Sequence, residues 1–110
     1  MPTPHLPPAA VRKVLRKLGE DMRDARRRRH LPMAVVADRA FTSRASVQRV
    51  EGGDPSVSIG IYGAVLQALG LLEGLGQVAD PSNDSVGQSL AAAELPTRVR
   101  LRRPKSKSGA

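Results

Sequence analysis

Val36-Ala37-Asp38-Arg39-Ala40-Phe41-Thr42-Ser43-Arg44-Ala45-Ser46-Val47-Gln48-Arg49-Val50-Glu51-Gly52-Gly53 is the stretch on which the fold turns. It breaks at Phe41-Thr42. Before the break lies a short apolar helix expected over Pro32 to Ala40, with Val35, Val36 and Ala37 at its centre. After it, Ser43 is a good N-cap, because its side-chain oxygen accepts a hydrogen bond from an otherwise unpaired first-turn amide. The helix it opens is expected over Arg44 to Glu51, and Gly52-Gly53-Asp54-Pro55 ends it. Val47 and Val50 share one face and pin this helix to a core. Ala37 is small enough to let the two helices approach closely. Arg44, Ala45, Gln48 and Arg49 are left facing outward.

Working outward, Val11, Val14, Leu18, Met22 and Ala25 repeat at helical spacing and predict a first helix. Its opposite face is charged, and Arg26 to Arg29 extend it to a break at His30-Leu31-Pro32. Ser58 is a candidate cap for a fourth helix, Ile59 to Leu69, with Tyr62, Val65, Leu66 and Leu69 on its buried side. Gly70 is a natural stop. A fifth helix is expected over Leu71 to Ala79, weakened by Gly74 and Gly76 at about 1 kcal/mol each relative to alanine. Leu69, Leu72, Leu75 and Val78 form an apolar stripe that reads as core or dimer interface, with the interface favoured for Leu72 and Leu75. No internal repeat and no strand is evident. The fold class is therefore all-α, with five helices and two tails. The expected organisation is a disordered arm over 1–10, a helical domain over 11–79 and a basic, mostly disordered tail over 80–110. Within that tail, Ser85 to Ala93 is expected to be a transient helix.

Charge narrows the function classes. The chain carries 18 Lys+Arg against 10 Asp+Glu, a net +8. Residues 1–30 hold +6 and 91–110 hold +5, whereas 54–90 hold −4. A polyanion is the implied partner class, nucleic acid before an anionic membrane. The absence of cysteine removes thiol chemistry, and two distant histidines, His5 and His30, offer no metal site or catalytic set. Neither an enzyme nor a cofactor is expected. No apolar stretch approaches the roughly 20 residues that span a bilayer. The expected compartment is the cytoplasm, in association with the nucleoid.

A helix of this kind fits the major groove of B-DNA, and its N-terminal residues reach base edges. Arginine forks onto the O6 and N7 acceptors of guanine, and glutamine matches adenine. The quoted segment resembles the Xre/Cro/cI-type helix-turn-helix family of phage and bacterial repressors. Val36-Ala37, Ser43 and Val50-Glu51-Gly52-Gly53 stand where that family has a leucine-alanine pair, a serine cap and an isoleucine-glutamate followed by glycine. The resemblance covers roughly Leu15 to Val78. It implies a five-helix, lambda-repressor-like domain that binds a double-stranded DNA operator as a homodimer. It also implies an ion pair between Glu51 and Arg26, base reading by Arg44, Ala45 and Arg49, and phosphate contacts at Ser43, Ser46 and Gly53. Gln48 is a further candidate base reader.

The chain departs from the family pattern twice. Met33 stands where a phosphate-contacting glutamine is usual. Phe41 stands where the family favours a glycine with positive φ, a conformation costly for a bulky residue. Either the turn differs there, or Phe41 is strained and buried by something; its ring is also a candidate partner contact. A fainter resemblance, over Val57, Leu71-Leu72, Asp80-Pro81, Asp84, Gly87 and Leu95 to Arg100, is to HipB-type antitoxins. It implies a HipA-like kinase toxin as a second partner.

Two readings stay open for the arginine runs. Arg26 to Arg29 form either a phosphate-binding stripe or a solvated helix end favoured by the helix dipole. Arg98, Arg100, Arg102 and Arg103 belong to a DNA-threading arm or to a solubilising tail. A non-specific nucleic-acid-binding protein is the alternative to a sequence-specific repressor.

Overall fold

The computed structural model describes residues 6–102, with side chains through residue 94. Among the described residues there are six α-helices and no strand: α1 Ala9–Arg28, α2 Met33–Arg39, α3 Arg44–Glu51, α4 Ile59–Ala68, α5 Leu72–Gly76 and α6 Ser85–Arg102. A short 3₁₀ turn, Pro81–Asn83, precedes α6. Two compact units divide between Leu75 and Gly76.

In the first unit, the core joins α1 to α4. Met22 and Ala25 of α1, Val36 and Ala37 of α2, Val47 and Val50 of α3, and Tyr62, Val65 and Leu66 of α4 are all buried, with Ala40 and Leu69 just past the ends of α2 and α4. The first expected stripe is thus only half used. Met22 and Ala25 are buried, but Val11 and Val14 are 45% and 63% exposed. Leu15 and Leu18 instead line an apolar groove of ≈ 390 Å³ with Val57, Tyr62, Leu66 and Leu75.

The first four helices end in one geometry. The residue after each C-cap has positive φ: His30 at 55°, Phe41 at 55°, Gly53 at 71° and Gly70 at 78°. Its amide returns to a carbonyl three residues back, and the next amide reaches one residue further. Thus Phe41 N donates to Asp38 O at 3.2 Å and Thr42 N to Ala37 O at 2.9 Å, and Gly53 N to Val50 O at 2.9 Å and Asp54 N to Arg49 O at 3.0 Å. This double bond pattern satisfies carbonyls that a helix end leaves unpaired. Glycine adopts the required backbone freely; histidine and phenylalanine do so under strain.

One close approach sets how α1 meets α3. A Cβ on Gly19 would lie 2.5 Å from Val50 O and 2.6 Å from Glu51 O. A Cβ on Gly53 would lie 2.6 Å from Arg16 Cα. Two glycines facing backbone let the end of α3 sit directly on α1. Beyond it, Asp54 organises the loop to α4. Its carboxylate accepts from Ser56 N at 2.8 Å and Ser56 Oγ at 2.7 Å, and these bonds hold it below the usual carboxylate range. Its main-chain oxygen accepts from the Tyr62 hydroxyl at 2.8 Å; burial pushes that phenol up.

Several expectations need correction. Helix α1 begins at Ala9, inside the arm expected over 1–10, because Pro8 tolerates the N-cap position and alanine is the best helix former. The arm's first five residues lie outside the described residues. Among the described residues there are six helices, not five: the transient helix expected over Ser85 to Ala93 stands as the start of α6, which continues to Arg102 where a disordered tail was expected. Asp84 accepts from Gly87 N at 2.9 Å and so caps α6, Ala91 to Ala93 favour it, and the helix runs past Pro96. Arg103 lies outside the described residues. Helix α5 stops at Gly76, short of the expected Ala79.

Candidate nucleic-acid interface

Helix α3 has two unlike faces. Val47 and Val50 have no exposed surface, and Glu51 is 6% exposed. Arg44, Ala45, Gln48 and Arg49 are all exposed on the other side. The start of the helix is held by Ser43, whose Oγ accepts from Ser46 N at 3.1 Å. The same hydroxyl donates to Ser46 Oγ, also at 3.1 Å. Ser43 therefore uses its one hydroxyl proton within the chain, and Ser46 keeps its own for an outside acceptor.

Behind that face, Arg26 and Glu51 form a two-pronged ion pair. Nε donates to one carboxylate oxygen at 2.6 Å and Nη2 to the other at 3.1 Å. Nη1 donates to Leu31 O at 3.1 Å, so one guanidinium ties α1, α3 and the α1–α2 turn together. The two side chains are 11% and 5% exposed. The hydrogen bonds that Arg26 donates to Glu51 raise the guanidinium above its ordinary range. Of the arginine run, Arg26 is thus committed to the core, while Arg27, Arg28 and Arg29 are exposed.

A second cationic feature was not legible in the sequence. Arg23 and Arg27 of α1 line a cleft of ≈ 340 Å³ with Met33, Gln48, Glu51 and Gly52. The Arg23 Nε is buried there with no hydrogen-bond partner. Arg23 and Arg27 lie four apart on α1 and so project on one side of it, a spacing visible only once that face is known to border α3.

No family model, curated protein or solved structure matches the chain.

Several expected site residues stand elsewhere than anticipated. Gly53 is buried against α1 and its amide is spent on Val50 O, so it has nothing to give a phosphate. Met33 packs against the core at the edge of the arginine cleft, and a thioether offers no hydrogen-bond donor. Arg23 and Arg27 carry the positive charge there instead. Leu69 is 3% exposed within its own chain's core and cannot present a face to a second copy. Leu72 is 39% exposed, and Leu75 is half-buried over the groove. Val78 is exposed but lies past the end of α5, so the four residues do not share one helix face. Phe41 does have positive φ, yet nothing buries it: it is 97% exposed.

Proposed function

We propose that this protein is a sequence-specific DNA-binding repressor with a lambda-repressor-like domain, acting as a homodimer on a two-fold double-stranded operator. The observation that carries the reading is α3 itself. It is a capped helix held to the core by Val47, Val50 and the Arg26–Glu51 pair, with an exposed face of Arg44, Ala45, Gln48 and Arg49. A rigid helix with such a face is what base reading in the major groove requires. The cleft arginines Arg23 and Arg27, with Ser46, are suited to backbone phosphates, which position such a helix without reading sequence. The dimer reading is supported by apolar surface around α4 and α5, where Ile59, Leu71 and Leu72 are 72%, 38% and 39% exposed. The sequence resemblance extends the proposal to a HipA-like kinase toxin as protein partner, which co-purification would reveal.

Selection of bound duplexes from random DNA tests the main reading. A defined two-fold site should emerge, with half-sites one helical turn apart. Arg44→Ala and Arg49→Ala should each cost about 1–3 kcal/mol on that site and relax its sequence at one position. Full affinity in both variants would remove α3 as the reading helix. The +8 charge favours the non-specific alternative, which predicts no selected sequence and affinity that falls with salt alone. For the dimer, Leu72→Glu should shift the chain to monomer in analytical ultracentrifugation and weaken operator binding.

A further inference from the structure

Phe41 is the one phenylalanine in the chain. Its ring is 97% exposed, well beyond Ile59 and Val78 at 72%. It also occupies a left-handed position, φ 55°, where the equivalent turns after α3 and α4 use glycine. The residue is therefore unfavourable to the isolated chain twice over, through strained backbone and through an aromatic ring left in water. The positive φ itself closes the end of α2, through Phe41 N to Asp38 O and Thr42 N to Ala37 O. The choice of a bare aromatic ring at that position has no such internal use: among the described residues nothing covers it.

The location says what kind of use. Phe41 lies in the turn that leads into α3, ahead of its cap Ser43. The last residue of α2, Arg39, and the first of α3, Arg44, are both exposed on either side of it in the chain. An apolar ring bracketed by cations suits an apolar strip bordered by anions. The wall of a DNA groove is such a strip, with deoxyribose and thymine methyl groups between rows of phosphates. The turn is also continuous with the outward face of α3. We infer that Phe41 is a DNA-contacting residue whose ring packs on the apolar wall of the groove beside the α3 site. This rests on the DNA-binding reading proposed above.

The experiment compares the full chain with Phe41→Gly, Phe41→Asn and His30→Gly, on duplexes that the wild-type chain selects from random DNA. Glycine and asparagine both accept positive φ, so all three variants should relieve strain. Each should raise Tm, by about 4–8 °C for glycine. The two Phe41 variants should bind about tenfold more weakly, with an unchanged slope of affinity against salt, because an apolar contact releases no counterions. His30→Gly, strained alike but in the α1–α2 turn, should bind as wild type does. Replacing thymines by deoxyuridines separates the two apolar groups. A methyl contact makes wild type, but not Phe41→Gly, sensitive at one position; a sugar contact leaves both unaffected by the exchange.

Undiminished affinity in Phe41→Gly and Phe41→Asn would overturn the inference and assign the ring to a protein partner or to none. A fall in Tm for both would overturn it too, since the ring would then serve the fold. If Arg44→Ala loses affinity while the Phe41 variants keep it, the DNA-binding reading stands and only this inference fails. If the wild-type chain selects no duplex, both fall.

Discussion

Gly19→Ala should remove a large share of the domain's stability. The added methyl carbon would lie 2.5 Å from Val50 O, 2.6 Å from Glu51 O and 2.8 Å from Gly53 N. These are backbone atoms at the end of α3, so no side-chain rotation relieves the clash. Helix α1 must move off α3, which opens the core at Met22 and Val50 and pulls Arg26 away from Glu51. Overpacking of a core costs typically about 1–3 kcal/mol, and a backbone clash belongs at or above the top of that range. A domain of this size has only about 5–15 kcal/mol in total. Urea unfolding followed by circular dichroism checks it. Gly74→Ala is the matched control: nothing lies within 4 Å of its added carbon, and alanine should raise helix stability by about 1 kcal/mol. Equal stability of Gly19→Ala and wild type would mean that α1 and α3 do not meet there.

Removing the charge from Glu51 should be at least as severe. Glu51→Gln keeps the shape but strands the Arg26 guanidinium, which is 11% exposed and can only partly satisfy its donors on Leu31 O. Breaking a buried pair by deleting one partner costs about 3–5 kcal/mol, because a charge is left without compensation. The double variant Arg26→Met, Glu51→Leu should recover much of that loss, since two apolar side chains leave no stranded charge. A double-mutant cycle from chemical denaturation measures the coupling. If Glu51→Gln alone is as stable as wild type, the pair is not what holds α3 to α1. The outcome also bears on the proposed DNA reading, because Arg26–Glu51, Val47 and Val50 hold α3 to the core.

Much of the site was readable one helix at a time. Ser43 and Ser58 cap α3 and α4 as expected from their type, each accepting from the amide three residues on. The alternation of Val47 and Val50 with Arg44, Gln48 and Arg49 separated the buried from the outward face of α3. These signals act within one or two turns of helix, so the residues themselves carry them. The Arg26–Glu51 pairing came from resemblance to a known family, because nothing local joins residues so distant in the chain. The C-terminal helix matches expectation at its start, Ser85 to Ala93, and exceeds it beyond, to Arg102. Proline and arginine density argued against order, while the cap from Asp84 and the alanine run favoured a helix.

The sequence by itself determined that the chain is helical, where α3 begins and ends, and which side of it is free. Only the tertiary structure decided what each free or apolar residue faces. Leu69 reads both as a buried residue of α4 and as part of an interface stripe, until the packed core closes over it and leaves only the first. Gly53 reads as a turn glycine open to phosphate until α1 lies across it. Gly19 carries no signal of its own in the sequence, and only the packing makes it the place where two backbones touch. Phe41 reads as a residue in need of cover until its ring is found bare. The physical reason is common to all four. Caps and periodicity are set by atoms a few residues apart, whereas burial is set by which distant backbones meet, and that is decided only when the whole core assembles.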